Sequence, residues 1–232
     1  MAQLDRSATI ADIVTAHPNA ARVFQKHRLD FCCGGGATVP EACRGRALDA
    51  ESVFAELQAV VEDRAVSRRD VDPRELPTPE LITLIVDRHH RYLRQSLPSL
   101  APLAAKVARV HGAHNPKLQP LLEIFEALRS ALEPHIDEEE GDLFPALAAA
   151  APGAPAIQRE LARMHDEHVA VGGLLARARS LADDFTTPEW ACNSYRVLMA
   201  ELEALEGDVL RHVHLENHVL MRRFVGEAER AR

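Results

Sequence analysis

The sequence predicts an all-α protein, an antiparallel four-helix bundle preceded by a small helical N-terminal domain. Three observations lead there. Aromatic residues are 4% of the 232 residues, Ala and Leu abound, and no run of alternating β-branched residues argues for a strand. Residues 66–79 carry Pro73, Pro77 and Pro79 among charges, which suits a linker better than a helix. Beyond it, four long segments with helical periodicity are separated by short breaks around Pro116, Pro152–Pro155 and Asp184–Pro188, the pattern of a bundle. The sequence thus divides into an N-terminal domain over 1–65, a linker over 66–78 and a bundle domain over 79–232.

In the N-terminal domain, Thr9 and Asp12 open a first helix in the manner of a capping box. A second begins near Pro18, which a first helical turn tolerates, and runs through Phe24 to the turn Asp30–Gly36. Thr38 and Glu41 repeat the capping pattern, with Gly45 as a stop. A last helix follows Asp49 and buries Val53, Leu57, Val60 and Val61. The bundle segments fall at about 79–111, 117–149, 156–183 and 188–226, with edges uncertain by about two to four residues.

Each bundle segment has an apolar seam of alternating three- and four-residue steps. The first seam includes Val86, His90, Leu93 and Leu97. The second includes Leu128, Leu132, His135, Glu139, Asp142 and Ala146. The third includes Leu161, Met164, His168 and Val171. The fourth includes Leu205, Val209, His212, Glu216 and Val219. Every seam holds one His, and two hold a Glu four residues later on the same face. The spacing nearly repeats, with 45 residues from His90 to His135 and 44 from His168 to His212.

One His on an apolar face is usually a satisfied core residue. Four at matched depth with two carboxylates are different, because a buried carboxylate needs compensation worth several kcal/mol and the seams offer no Lys or Arg nearby. Cations bound by neutral imidazoles supply the charge. Four His and two Glu are too many for one tetrahedral zinc ion, and they fit two ions bridged by carboxylates, the di-iron or di-manganese architecture. Iron suits imidazole-rich ligation better than manganese. The expected ligands are His90, His135, Glu139, His168, His212 and Glu216.

The remaining histidines and carboxylates read as ordinary. His89 lies about 100° round the helix from His90 and is expected in solvent. His111 and His114 sit at a helix end, and His165, His214 and His218 miss the seams, with His165 and His214 near enough to support a ligand. Glu138 and Glu140 read as solvated, and Glu167 as lining an access path. In Asp30-Phe31-Cys32-Cys33-Gly34-Gly35-Gly36 the glycines permit a tight turn with positive φ. Cys32 and Cys33 read there either as incidental thiols or as a redox-active or metal-handling pair that Cys43 can approach. Cys192 reads as a small buried side chain.

The net charge of −8 and the absence of a basic block argue against nucleic acid. No apolar run is long enough for a membrane span, and the first ten residues do not resemble a secretory signal. Four Cys in this length do not make a disulfide framework, so a cytoplasmic protein is expected.

The segment from Thr9 through DFCCGGG resembles the N-terminal domain of the RIC (repair of iron centres) family. RHHRYLRQSLP, HIDEEEGDLFP, MHDEH and HVHLEN resemble the four helix motifs of its hemerythrin-like domain. The resemblance implies two non-haem iron ions with an oxo or hydroxo bridge, held by the same six residues, with Glu139 and Glu216 bridging. Cys32 and Cys33 match the family's paired cysteines. It also implies repair of iron–sulfur clusters damaged by nitrosative or oxidative stress, by supplying iron, with damaged iron–sulfur proteins as partners. Reversible binding of oxygen or nitric oxide, and enzymatic reduction of nitric oxide, are the alternatives; a homodimer is left open. Leu220-Met221-Arg222 departs from the Leu-Phe-Pro ending of the second motif.

Overall fold

The computed structural model describes residues 4–62, 72–149 and 154–225. The fold is all-α, and among the described residues the only strand-like feature is an isolated antiparallel bridge between Thr9 and Thr38. The described chain divides into two compact units. One comprises the residues up to Leu81, those from 154 to Leu161 and those from Leu210 onward. The other comprises Ile82–Ala149 and Ala162–Val209.

The first unit contains α1 (Ile10–Ala16), α2 (Ala20–Lys26), α3 (Val39–Arg44) and α4 (Ala50–Glu62). Thr9 caps α1 by accepting the Asp12 amide at 3.1 Å. Thr38 and Glu41 form the reciprocal capping box of α3. Gly45 ends α3 at a right-handed φ of −65°, and the left-handed residue is Ala47 two positions on. In α4 the buried residues are Val53, Phe54 and Leu57; Val60 and Val61 are only half-buried. Of the expected linker, 66–71 lie outside the described residues, and Pro73 is buried with its carbonyl accepting from Arg223 at 3.0 Å. The last described residues also belong here, with a π-helical turn at Glu216–Leu220 and a 3-10 turn at Met221–Arg223.

The second unit is built from parts of four long helical runs. They are α5 (Thr78–Ile85) continuing through a π-helical turn into α6 (Arg91–His111), α7 (Leu118–Glu138) continuing through a second π turn into α8 (Phe144–Ala149), α9 (Pro155–Leu181), and α10 (Asn193–Leu215). Successive runs are antiparallel. Arg94 pairs with Asp137, Arg163 with Glu138, Arg179 with Glu206, and Lys106 with Ser194. Leu93, Leu97, Phe125, Leu128, Leu132, Leu175, Leu202 and Leu205 fill the interior.

The π turns at Val86–His90 and Glu139–Leu143 correct the expected seams. A π turn accommodates one extra residue, so the buried face shifts by one position across it. Ile85, not Val86, is fully buried before the first. After the second, Leu143, Phe144 and Leu147 are buried, whereas Asp142 and Ala146 are exposed. The fourth run begins at Asn193 rather than near 188.

Candidate metal centre

In the second unit, the last residue of the first π turn, His90, meets the first residue of the second, Glu139. His90 Nε2 lies 3.3 Å from Glu139 Oε2. His135, one helical turn before Glu139, places its Nε2 3.3 Å from the other oxygen, Oε1. His168 on α9 completes the group, its Nε2 3.2 Å from His135 Nε2. Donor atoms of His135, Glu139 and His168 all lie within 4.8 Å of one another. All four residues are buried, Glu139 at 1% exposure.

The outward ring nitrogens identify the inward ones. His90 Nδ1 is 2.9 Å from Glu140 Oε1, and His135 Nδ1 is 2.9 Å from Glu167 Oε2. A neutral imidazole that donates from Nδ1 carries a lone pair on Nε2. Two such lone pairs then face the two oxygens of a buried carboxylate, an arrangement that needs positive charge between them. Each outer carboxylate is held in turn by an arginine: Glu140 by Arg94 at 3.0 Å, Glu167 by Arg163. Anchoring of this kind fixes tautomer and ring direction in metal sites.

The other two expected ligands lie in the first unit. His212 Nε2 is 2.8 Å from Glu216 Oε1, and both are buried, at 1% and 0% exposure. They straddle the end of α10 and the start of the third π turn. Each π turn among the described residues therefore contains an expected ligand.

The same turn of chain faces the cysteine loop within that unit. His214 Nδ1 lies 3.0 Å from the Phe31 carbonyl and Nε2 3.0 Å from Thr15 Oγ1. Asn217 donates to the Cys32 carbonyl at 2.8 Å. Burial pushes His214 and His218 down to about 4. The Asp30 carboxylate shapes the loop by accepting the amides of Cys32 (3.0 Å), Cys33 (2.9 Å) and Gly34 (2.9 Å). Gly34 and Gly35 do not take left-handed φ; Gly35 is required by close approach, since a Cβ there would sit 2.7 Å from the Phe31 carbonyl and 2.9 Å from His218 Nε2. Cys32 is buried and Cys33 half-buried, and neither is in a disulfide. The hydrogen bond with Cys33, burial and the Asp30 charge push the Cys32 thiol well above its usual range.

Several expectations need correction. His89 is buried, not solvated, with Nδ1 3.0 Å from Asp208 Oδ1. His214, which misses the apolar seam, is nevertheless buried. Glu140 and Glu167 hold ligand-type histidines, a role that no spacing rule reveals because the partners are 50 and 32 residues away. Cys192 is exposed and lies 3.1 Å from His111 Nε2.

Comparison with known proteins agrees with this architecture. The Hemerythrin HHE cation binding domain family matches residues 81–224, and ScdA_N, a domain of unknown function (DUF542), matches residues 6–61. The chain is 32% identical over 223 residues to the iron-sulfur cluster repair protein ScdA of Staphylococcus haemolyticus, covering 95% of this chain and 99% of that protein. It is 35% identical over 225 residues to the iron-sulfur cluster repair protein YtfE of Edwardsiella ictaluri, covering 96% and 98%. Against YtfE of Yersinia pseudotuberculosis the identity is 34% over 218 residues, covering 94% and 96%.

Proposed function

We propose a function from one premise: this chain belongs to the hemerythrin HHE cation binding family and, along nearly its whole length, to the iron–sulfur cluster repair proteins it matches. It repairs iron–sulfur clusters damaged by nitrosative or oxidative stress, and it does so by donating iron. The observation that carries this reading is the Glu139 carboxylate, buried with an imidazole nitrogen facing each of its oxygens.

The donor set fits iron. Neutral imidazoles and carboxylates suit a borderline divalent ion better than thiophilic cations, and they hold it less tightly than thiolates would. In this reading His90, His135, His168 and His212, with the carboxylates Glu139 and Glu216, would hold the iron. Bound iron would supply Lewis acidity and one-electron redox change, and it is also the cargo. The chain's own contribution is orientation and charge. Glu140 and Glu167 keep Nδ1 protonated on His90 and His135, so each Nε2 presents its lone pair inward. Protonation of these imidazoles competes with iron, which gives a route to release. The expected setting is the cytoplasm, with damaged iron–sulfur proteins as partners and nitric oxide or oxygen as ligands of the loaded centre. Among the described residues no helix is long and apolar enough to cross a membrane.

The deciding experiment mixes the iron-loaded protein with a nitric-oxide-damaged iron–sulfur enzyme. Recovery of enzyme activity should track iron lost from the protein, and Glu139→Gln should neither hold the iron nor restore activity. Reversible gas binding without recovery would make it a carrier or sensor. Steady nitric oxide consumption with a reductant would make it an enzyme.

A further inference from the structure

We propose that Cys32, Cys33 and Asp30 form a second cation site, separate from the histidine–carboxylate centre, that takes a single divalent zinc-type ion in tetrahedral coordination and leaves one position open. The inference does not rest on the repair function. It rests on three features of the loop.

The first is spacing. Cys32 Sγ and Cys33 Sγ are 3.6 Å apart, and Cys32 Sγ is 3.3 Å from Asp30 Oδ1. Donor atoms of the three residues lie within 4.8 Å of one another. Two sulfurs about 2.3 Å from one tetrahedral ion are about 3.8 Å apart, close to the separation found. A linear two-coordinate ion such as Cu(I) would need them farther apart than neighbouring residues hold them here.

The second is preorganisation. The Asp30 carboxylate, whose Oδ1 lies against Cys32 Sγ, is fixed by three backbone amides. Asn217 holds the Cys32 carbonyl, and the Gly35 carbonyl accepts from the Ala11 amide at 2.9 Å. Little ordering remains to be done when an ion arrives. The third is access. Cys32 is buried, whereas Asp30 is exposed and Cys33 half-exposed, so an ion can enter from one side and meet a fourth ligand there.

Binding replaces two thiol protons with one divalent ion and releases both protons, so affinity rises with pH. Site geometry of this kind differs from a closed structural zinc site, which has four protein ligands. An open position suits exchange of the ion with another molecule.

Co2+ is the probe, because only thiolate ligation gives sulfur-to-cobalt charge transfer in the near ultraviolet. The full chain carries Cys192→Ser, since Cys192 beside His111 is a competing thiol. It should bind one thiolate-ligated Co2+, displaced by Zn2+. Cys32→Ser and Cys33→Ser should each remove most of the band while leaving iron content and helix content unchanged. Asp30→Asn should weaken affinity at least about tenfold. In the chain with both cysteines intact, Zn2+ should protect Cys32 and Cys33 from alkylation, read by mass spectrometry. Absence of the band, its survival in both serine variants, or protection of Cys43 instead would overturn the proposal. Loss of iron on Cys33→Ser with normal helix content would also count against it, because the two sites would then not be separate.

Discussion

At the scale of single residues, two acidic side chains outside the expected ligand set hold its histidines in place. Glu140 and Glu167 each hold an imidazole Nδ1 and are themselves held by an arginine. Glu140→Gln and Glu167→Gln should each lower iron affinity roughly 10- to 100-fold, measured by competition with a chelator, with helix content unchanged. A variant that binds iron as well as the parent would remove these carboxylates from the site. Gly35 is a second residue-scale constraint. Gly35→Ala forces a methyl group against the Phe31 carbonyl, Ala11 and His218, and should cost about 1–3 kcal/mol in chemical denaturation.

At the scale of elements, the decisive features are the π turns and one buried ion pair. Heptad-like reading assumes a constant 3.6 residues per turn, and each π turn breaks that assumption locally. A constant period therefore misplaces Val86, Asp142 and Ala146 by one position but not His90, His135, Glu139 or His168, because the shift occurs on the far side of the turn from the run that carries the apolar period. The Arg179–Glu206 pair ties α9 to α10, with Arg179 Nε 2.8 Å from Glu206 Oε1 and both side chains buried. Just beyond α9, Asp183, Asp184 and Phe185 all have left-handed φ, and Arg179 also reaches Asp184 and the face of Phe185. Arg179→Ala strands a buried carboxylate and should destabilise the protein by about 3–5 kcal/mol. Equilibrium denaturation that shows less than about 1 kcal/mol would mean that water replaces the guanidinium.

At the scale of the whole molecule, iron binding and folding are linked. An ion that binds only the folded chain stabilises it by about 2.7 kcal/mol at a free concentration one hundred times its dissociation constant. Stripping iron should therefore lower the melting temperature by about 5–10 °C for a chain of this size, and restoring it should bring the temperature back. An unchanged melting temperature after complete iron removal would detach the metal from the fold. The sequence by itself determined the helical class, the breaks around Pro116 and Asp184–Pro188, the N-cap at Thr9, the capping box at Thr38, and the burial of His90, His135, Glu139, His168, His212 and Glu216. All of these follow from periodicity and capping, which act over a few residues. Tertiary structure alone decided that Glu140 and Glu167 orient histidines, that His89 and His214 are buried, that Cys192 is exposed and that Asn217 holds the Cys32 carbonyl. Local periodicity specifies which face of a helix turns inward; it carries no information about which distant side chain will stand opposite, and hydrogen bonds such as Thr15–His214 join residues 199 apart.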